Sequence, residues 1–114
     1  VAWHIRTDGQ LRFKADRGMM LQVLSNLAKN ACEAGARDID IRWENALLIS
    51  NNGAPIPPDV AREIFVPFFT TKQTGSGIGL ALARLMMHKQ GMNLSLAEQP
   101  VPGFRTTFVI SRLP

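Results

Sequence analysis

The residues best suited to chemistry are three glycines at alternate positions, Gly75, Gly77 and Gly79, with Lys72 three residues ahead of the first. Lacking a Cβ, glycine adopts left-handed or extended dihedrals easily and lets the backbone come close to a ligand. A helical pattern opens behind them, with Ile78, Leu82 and Leu85 at steps of four and three. The first turn of a helix leaves N–H groups unpaired, with the positive end of the macrodipole behind them. Loop and helix start together make an anion site suited to phosphate. Lys72 adds a compact positive charge. A flexible loop before an ordinary surface helix would look the same locally, so the rest of the chain has to decide.

A second constellation is Asn26, Asn30 and Glu33, spaced by four and three along one helical flank. Asparagine is a middling-to-poor helix former, and two of them one turn apart need partners. Neighbouring backbone could satisfy both. The functional alternative is metal binding, because an amide oxygen is a hard ligand of the kind Mg²⁺ takes while keeping several waters. A third stretch, Asn51-Asn52-Gly53-Ala54-Pro55-Ile56-Pro57-Pro58, puts turn chemistry at the end of an apolar strand, where ligand contacts are common.

These three stretches need a scaffold. Val1–Arg6 and Leu11–Ala15 read as two short strands around the turn Asp8-Gly9. Asp16 has the character of an N-cap, and a long helix follows it, with Met20, Leu24, Leu27, Ala31 and Ala34 in a stripe about 80° wide. Gly35 is the natural stop. Asp38–Glu44 alternates with Ile39, Ile41 and Trp43 inward, and Ala46–Ser50 is a second strand, with Glu44-Asn45 as a two-residue hairpin turn. A short helix spans about Asp59–Ile64. The glycine-entered helix ends near Gly91, and strands Asn93–Glu98 and Phe104–Arg112 follow around the turn Pro100–Gly103. This order predicts an α/β (α+β) two-layer sandwich, a mixed β-sheet with helices on one face.

The 114 residues suffice for one domain with a real core. No apolar run approaches the roughly 18 residues of a membrane span, and no signal peptide is expected. It begins at Val1 without an initiator Met, and we expect a piece of a longer protein. The net charge of +4 is scattered rather than clustered with aromatics, which argues against nucleic acid as a partner. A single cysteine, Cys32, excludes an internal disulfide; it reads as a small buried hydrophobe. His4 and His88 lack metal-ligand spacing. Trp3, Trp43, Met86 and Met87 read as core or sheet-face residues.

Taken in this order, the stretches resemble the ATP-binding catalytic domain of sensor histidine kinases, within the group shared with gyrase, Hsp90 and MutL, over about residues 9–114. Leu21–Ala34 looks like that family's asparagine box. Asn51-Asn52-Gly53 stands where the family reads Asp-x-Gly, Ile64–Lys72 is similar to its phenylalanine box, and Gly75–Leu80 to its second glycine box. Gly103–Phe108 is similar to its closing Gly-x-Gly-Thr-x-Phe. The resemblance implies a Bergerat-type ATP-binding fold, with ATP and Mg²⁺ as cofactors. Asn30 would hold the Mg²⁺, with Asn26 and Lys72 on the phosphate side. Asn51, Gly53 and Thr106 would line the base, Gly75, Gly77, Ile78, Gly79 and Leu80 the phosphates, and Ile56 would also contact the nucleotide. Phe68 and Phe69 would be core residues or docking residues. The sequence departs from the pattern at Asn51 for the aspartate, at Pro55 for a glycine, at Arg105-Thr106 for Gly-Thr, and at Gln90-Gly91-Met92 for His-Gly-Gly.

Relatives that hydrolyse ATP carry a glutamate one turn before the metal asparagine. Here that position is Asn26, which is no base at neutral pH. Phosphoryl transfer needs positioning, charge neutralisation and an acceptor. The acceptor histidine is expected outside this chain, on a dimerisation domain of the same cytoplasmic, homodimeric kinase, with a response regulator downstream; the piece alone would be a monomer. The alternatives are a nucleotide-binding docking module with degenerate catalysis, or a serine kinase of the anti-sigma-factor type.

Overall fold

The computed structural model describes residues 2–6, 15–67 and 79–113. In chain order the elements are β1 (Ala2–Arg6), α1 (Arg17–Glu33), β2 (Asp38–Trp43), β3 (Leu47–Asn51), α2 (Pro58–Ala61), α3 (Gly79–His88), β4 (Met92–Leu96) and β5 (Thr106–Arg112). They form a five-stranded sheet in the order β1-β2-β3-β5-β4, with β1 and β2 parallel and the other pairs antiparallel.

The start of α1 is set by Asp16, whose carboxylate accepts from the Met19 amide at 2.8 Å and so satisfies one of the helix's unpaired donors. At the other end Gly35 has φ +79°, a conformation that glycine takes freely. Val23, Leu27 and Ala31 of α1 are buried, as are Ala83 and Met87 of α3. They meet Ile39, Ile49, Leu94, Phe108 and Ile110 on one face of the sheet. Fully burying side chains of this size contributes about 1.5–3 kcal/mol each. On the opposite face the Ser50 and Thr107 hydroxyls share a 2.8 Å bond, and the Val101 amide donates to Thr107 Oγ1. The expected two-layer arrangement is therefore present.

Several local expectations need correction. Val23, fully buried, is the centre of the α1 stripe, while Ala34 is only half-buried. The β2–β3 hairpin pairs Trp43 with Leu47 and so leaves three residues in its loop, not two, with Asn45 taking φ 60°. Asparagine tolerates that left-handed conformation. The short helix is Pro58–Ala61 rather than Asp59–Ile64. Of the expected strand Leu11–Ala15, only Ala15 falls within the described residues, and it is irregular; β1 instead pairs in parallel with β2. Trp3 and Trp43 lie on the sheet face but are 49% and 40% exposed, because they sit at its edge and end. Leu82 and Leu85 point away from the sheet, since the inward positions of α3 are Ala83 and Met87. Cys32 is exposed, not buried: it follows the inward-facing Ala31 by about 100° around the helix.

Candidate functional site

The site residues gather where the C-terminal end of β3, the start of β5, and the helices α1 and α3 come together. β3 ends at Asn51, which pairs with Thr106 at the start of β5. Directly opposed residues project from the same face, and here that is the helix-covered face, one step beyond the buried Ile49–Phe108 pair. Asn51 is 6% exposed and Thr106 5%. Asn51 Oδ1 accepts from the Gly53 amide at 3.0 Å, an Asx-turn that bends the chain away from the sheet. Its backbone carbonyl accepts from the Arg105 amide at 3.0 Å.

Gly53 lies hard against the C-terminal end of α1. A Cβ there would come within 2.9 Å of both the Cβ and the carbonyl oxygen of Ala34, so glycine is required by space. The Ala54 amide donates to the same Ala34 carbonyl at 2.8 Å. Between them Asn52 acts as a clamp. Its Oδ1 accepts from the amides of Arg37 and Asp38 at 2.8 and 2.9 Å, and its Nδ2 donates to Asp38 Oδ2 at 2.9 Å. The other Asp38 oxygen meets His4 Nε2 at 3.0 Å. The His4 bond is the main reason the Asp38 carboxyl lies below its ordinary range; partial burial opposes the shift and the Asn52 bond adds to it.

The asparagine stripe of α1 faces the start of α3. Asn26 Nδ2 donates to the carbonyl of Gly79, the first residue of α3, at 3.1 Å, and Asn26 Oδ1 accepts from Gln22 Nε2 at 3.3 Å. Asn30, one turn further on, is half-buried. Ile56 and Leu80 are half-buried and pack against the core, so each has a structural role beside any contact with a ligand. At the far end of the α1–α3 seam, Gln90 Oε1 accepts from the Asp16 amide, and Gln90 Nε2 donates to the Met86 carbonyl at 3.1 Å. Lys72, Gly75, Gly77, Ile78, Phe68 and Phe69 lie outside the described residues.

The structure thus brings Asn51, Gly53 and Thr106 together, and separately Asn26 and Gly79. The supporting residues Gln22, Asp38 and Asn52 were missed from sequence. Gln22 was readable, being one helical turn before Asn26. The Asp38–Asn52 clamp was not, because its partners are 14 residues apart and meet only once β2 and β3 pair. The same holds for Arg84, whose guanidinium lies 5.0 Å from the centre of the Phe65 ring. The two histidines are exposed and locally bonded, His4 to Asp38 and His88 to Asn93 Oδ1 at 2.8 Å. No described helix is long and apolar enough to cross a membrane.

Comparison with known proteins gives this arrangement a lineage. The family described as "Histidine kinase-, DNA gyrase B-, and HSP90-like ATPase" matches residues 15–114. The signal transduction histidine-protein kinase AtoS of Escherichia coli (strain K12) is 36% identical over 104 residues, covering 84% of this chain and 17% of the relative. The tetrathionate sensor histidine kinase TtrS of Salmonella typhimurium is 31% identical over 107 residues, covering 90% and 18%. Among solved structures, a nucleotide-free catalytic domain of the histidine kinase ThkA superposes with a TM-score of 0.73 at 32% identity, covering 99% of this chain and 78% of that one. The mycobacterial sensor histidine kinase MprB, at 22% identity and a TM-score of 0.75 over 96% of this chain and 78% of its own, shares the fold. The chain therefore spans under a fifth of the length of these two curated kinases. It belongs to the histidine kinase-, DNA gyrase B- and HSP90-like ATPase family.

Proposed function

We propose that this chain is the ATP-binding catalytic part of a sensor histidine kinase. It would bind Mg-ATP between α1, the end of β3 and the start of α3, and present the γ-phosphoryl group to a histidine on a separate dimerisation domain. A response regulator would take the phosphoryl group from that histidine. The observation that carries this reading is the Asn26–Gly79 bond, which sets the asparagine flank of α1 beside the start of the helix entered by the glycines.

The residues fit the two cofactors in different ways. The side-chain amide of Asn51 and the hydroxyl of Thr106, opposed on the helix-covered face, suit the edge of a purine, and the close approach of Gly53 to Ala34 fixes the turn that carries Asn51. Among the described residues no three His, Cys, Asp or Glu side chains cluster to hold a metal. Amide oxygen and water remain as donors, a set that Mg²⁺ accepts, and Asn30 is the residue assigned to it. When bound, the ion would neutralise charge on the phosphates. Lys72, Gly75, Gly77, Ile78 and Leu80 are assigned to the phosphate end, and Ile56 to the base. Asn26 orients α3 rather than activating water, so the chain would bind ATP without hydrolysing it appreciably.

A ligand held by the native state alone raises stability by mass action, by roughly 2.7 kcal/mol at a concentration 100-fold above Kd. Mg-ATP at millimolar concentration should therefore raise the Tm of the chain. Asn30→Ala should fold and lose most of the Mg²⁺ dependence of that rise. No shift with wild-type protein would leave a docking module without nucleotide, and unfolding of Asn30→Ala would make Asn30 structural. Incubation with labelled ATP should leave His4 and His88 unmodified; phosphate on either would place the acceptor inside the chain.

A further inference from the structure

The chemistry of the base subsite can be read from one amide. We propose that Asn51 presents a fixed hydrogen-bond donor to the base, so that the site accepts 6-oxopurine nucleotides about as well as 6-aminopurine ones. The proposal rests on the assignment of this cleft to a nucleotide. The Gly53 amide can only donate, so the atom of Asn51 that it meets at 3.0 Å is the oxygen, and the orientation of the side-chain amide follows. With Oδ1 bound into the turn, Nδ2 is left, and no described residue accepts from it. Among the described residues the one sealed polar side-chain atom without a partner is Arg84 Nε, so Nδ2 of the 94%-buried Asn51 still meets solvent. A buried side chain whose one unpaired donor still reaches solvent is free to give it to a ligand.

Thr106, opposite Asn51 on the same face, supplies the second group. Its hydroxyl rotates, and can donate or accept. Against a 6-aminopurine, Nδ2 would donate to the ring nitrogen N1 while the hydroxyl accepts from the exocyclic amine. Against a 6-oxopurine, Nδ2 would donate to O6 while the hydroxyl accepts from N1–H. The number and kind of bonds are the same in both cases, and all are between neutral groups. A carboxylate at position 51 would keep the bond from Gly53 but offer only acceptors, which suits the amine and opposes the oxo group.

The test is competition binding of Mg-ATP and Mg-ITP to wild-type protein and to Asn51→Asp, with the fold checked by circular dichroism. ITP is the better probe because it changes the 6-position without adding the 2-amino group of GTP. In wild type the two affinities should agree within about threefold, and Asn51→Asp should open a gap of about tenfold or more in favour of ATP, as expected when neutral bonds become charge-assisted. Wild-type protein that binds ATP but prefers it to ITP by more than tenfold overturns the proposal, and needs no variant. An unchanged ratio in folded Asn51→Asp overturns it too. Failure of both nucleotides to bind wild-type protein removes the nucleotide assignment as well, so the two readings fail in distinguishable ways.

Discussion

The two ends of the candidate site are built differently. The base end stands on the sheet: Asn51 and Thr106 are adjacent ladder residues, Gly53 is wedged against Ala34, and Asn52 is held by both amides and a carboxylate. The proposed phosphate end stands on the seam between α1 and α3, where Asn26 donates to the Gly79 carbonyl and, at the far end, Gln90 accepts from the Asp16 amide. A sheet end fixes direction at several points, which suits recognition of a flat base with polar groups in set positions. A helix seam is held mainly by side-chain packing, and one packed surface can slide on another. On the proposed reading, the base is discriminated at the sheet end of the cleft and the phosphates are held at the helix seam.

Substitutions at the two ends should therefore differ in kind. The largest effect is expected at Gly53→Ala, where a methyl group would overlap Ala34 backbone and side chain alike. Overpacking of this sort costs about 1–3 kcal/mol. Chemical denaturation should show that loss, and nucleotide affinity should fall with it. If stability is unchanged, the base end is not rigid and the contrast collapses.

Asn26→Ala removes the side-chain hydrogen bond across the helix seam and a second one to Gln22 within α1, and should cost about 0.5–1.5 kcal/mol. The contrast predicts a selective outcome: binding of Mg-tripolyphosphate, which has no base, should fall as much as binding of Mg-ATP, while the ATP-to-ITP ratio stays as in wild type. A changed ratio would mean that the seam also positions the base.

The smallest effect belongs to the clamp beneath the base end. Asp38 has a lowered pKa, so its contribution is complete above the ordinary aspartate value of about 3.9 and is lost as pH falls through the lower folded-state value. His4→Ala removes the main cause of the shift. The stability gap between wild type and His4→Ala should be present at pH 5 and close on acidification below the ordinary value. A gap that stays constant down to acid unfolding would detach His4 from Asp38.

Much of this was legible in the sequence, for physical reasons that differ by region. Asp16 and Gly35 announced the two ends of α1 because caps are local chemistry. The alternation of Ile39 and Ile41, and of residues 106–112, announced strands because the period of two is local as well. The pairing of Asn51 with Thr106 and the bond from Asn26 to Gly79 were hidden, since nothing local to either partner points at the other. Burial of Val23 and exposure of Leu82, Leu85 and Cys32 depended on which side of each helix the sheet occupies. The partnership of β1 with β2 was equally hidden, because a parallel pair has no turn to advertise it.

The Ser50–Thr107 bond beneath the base end joins residues 57 apart in the chain, and Asn26 meets Gly79 across 53. Closing loops of that length demands that chain entropy be lost before the contacts return anything. On a ribosome, a chain released as far as β4 has Asn51 but no strand to hold its outer side, and no Thr106 to face it. On the proposed reading, recognition of a base would wait until β5 has emerged, and a product truncated before it, with α1 and α3 intact, would still lack the floor on which a base is read.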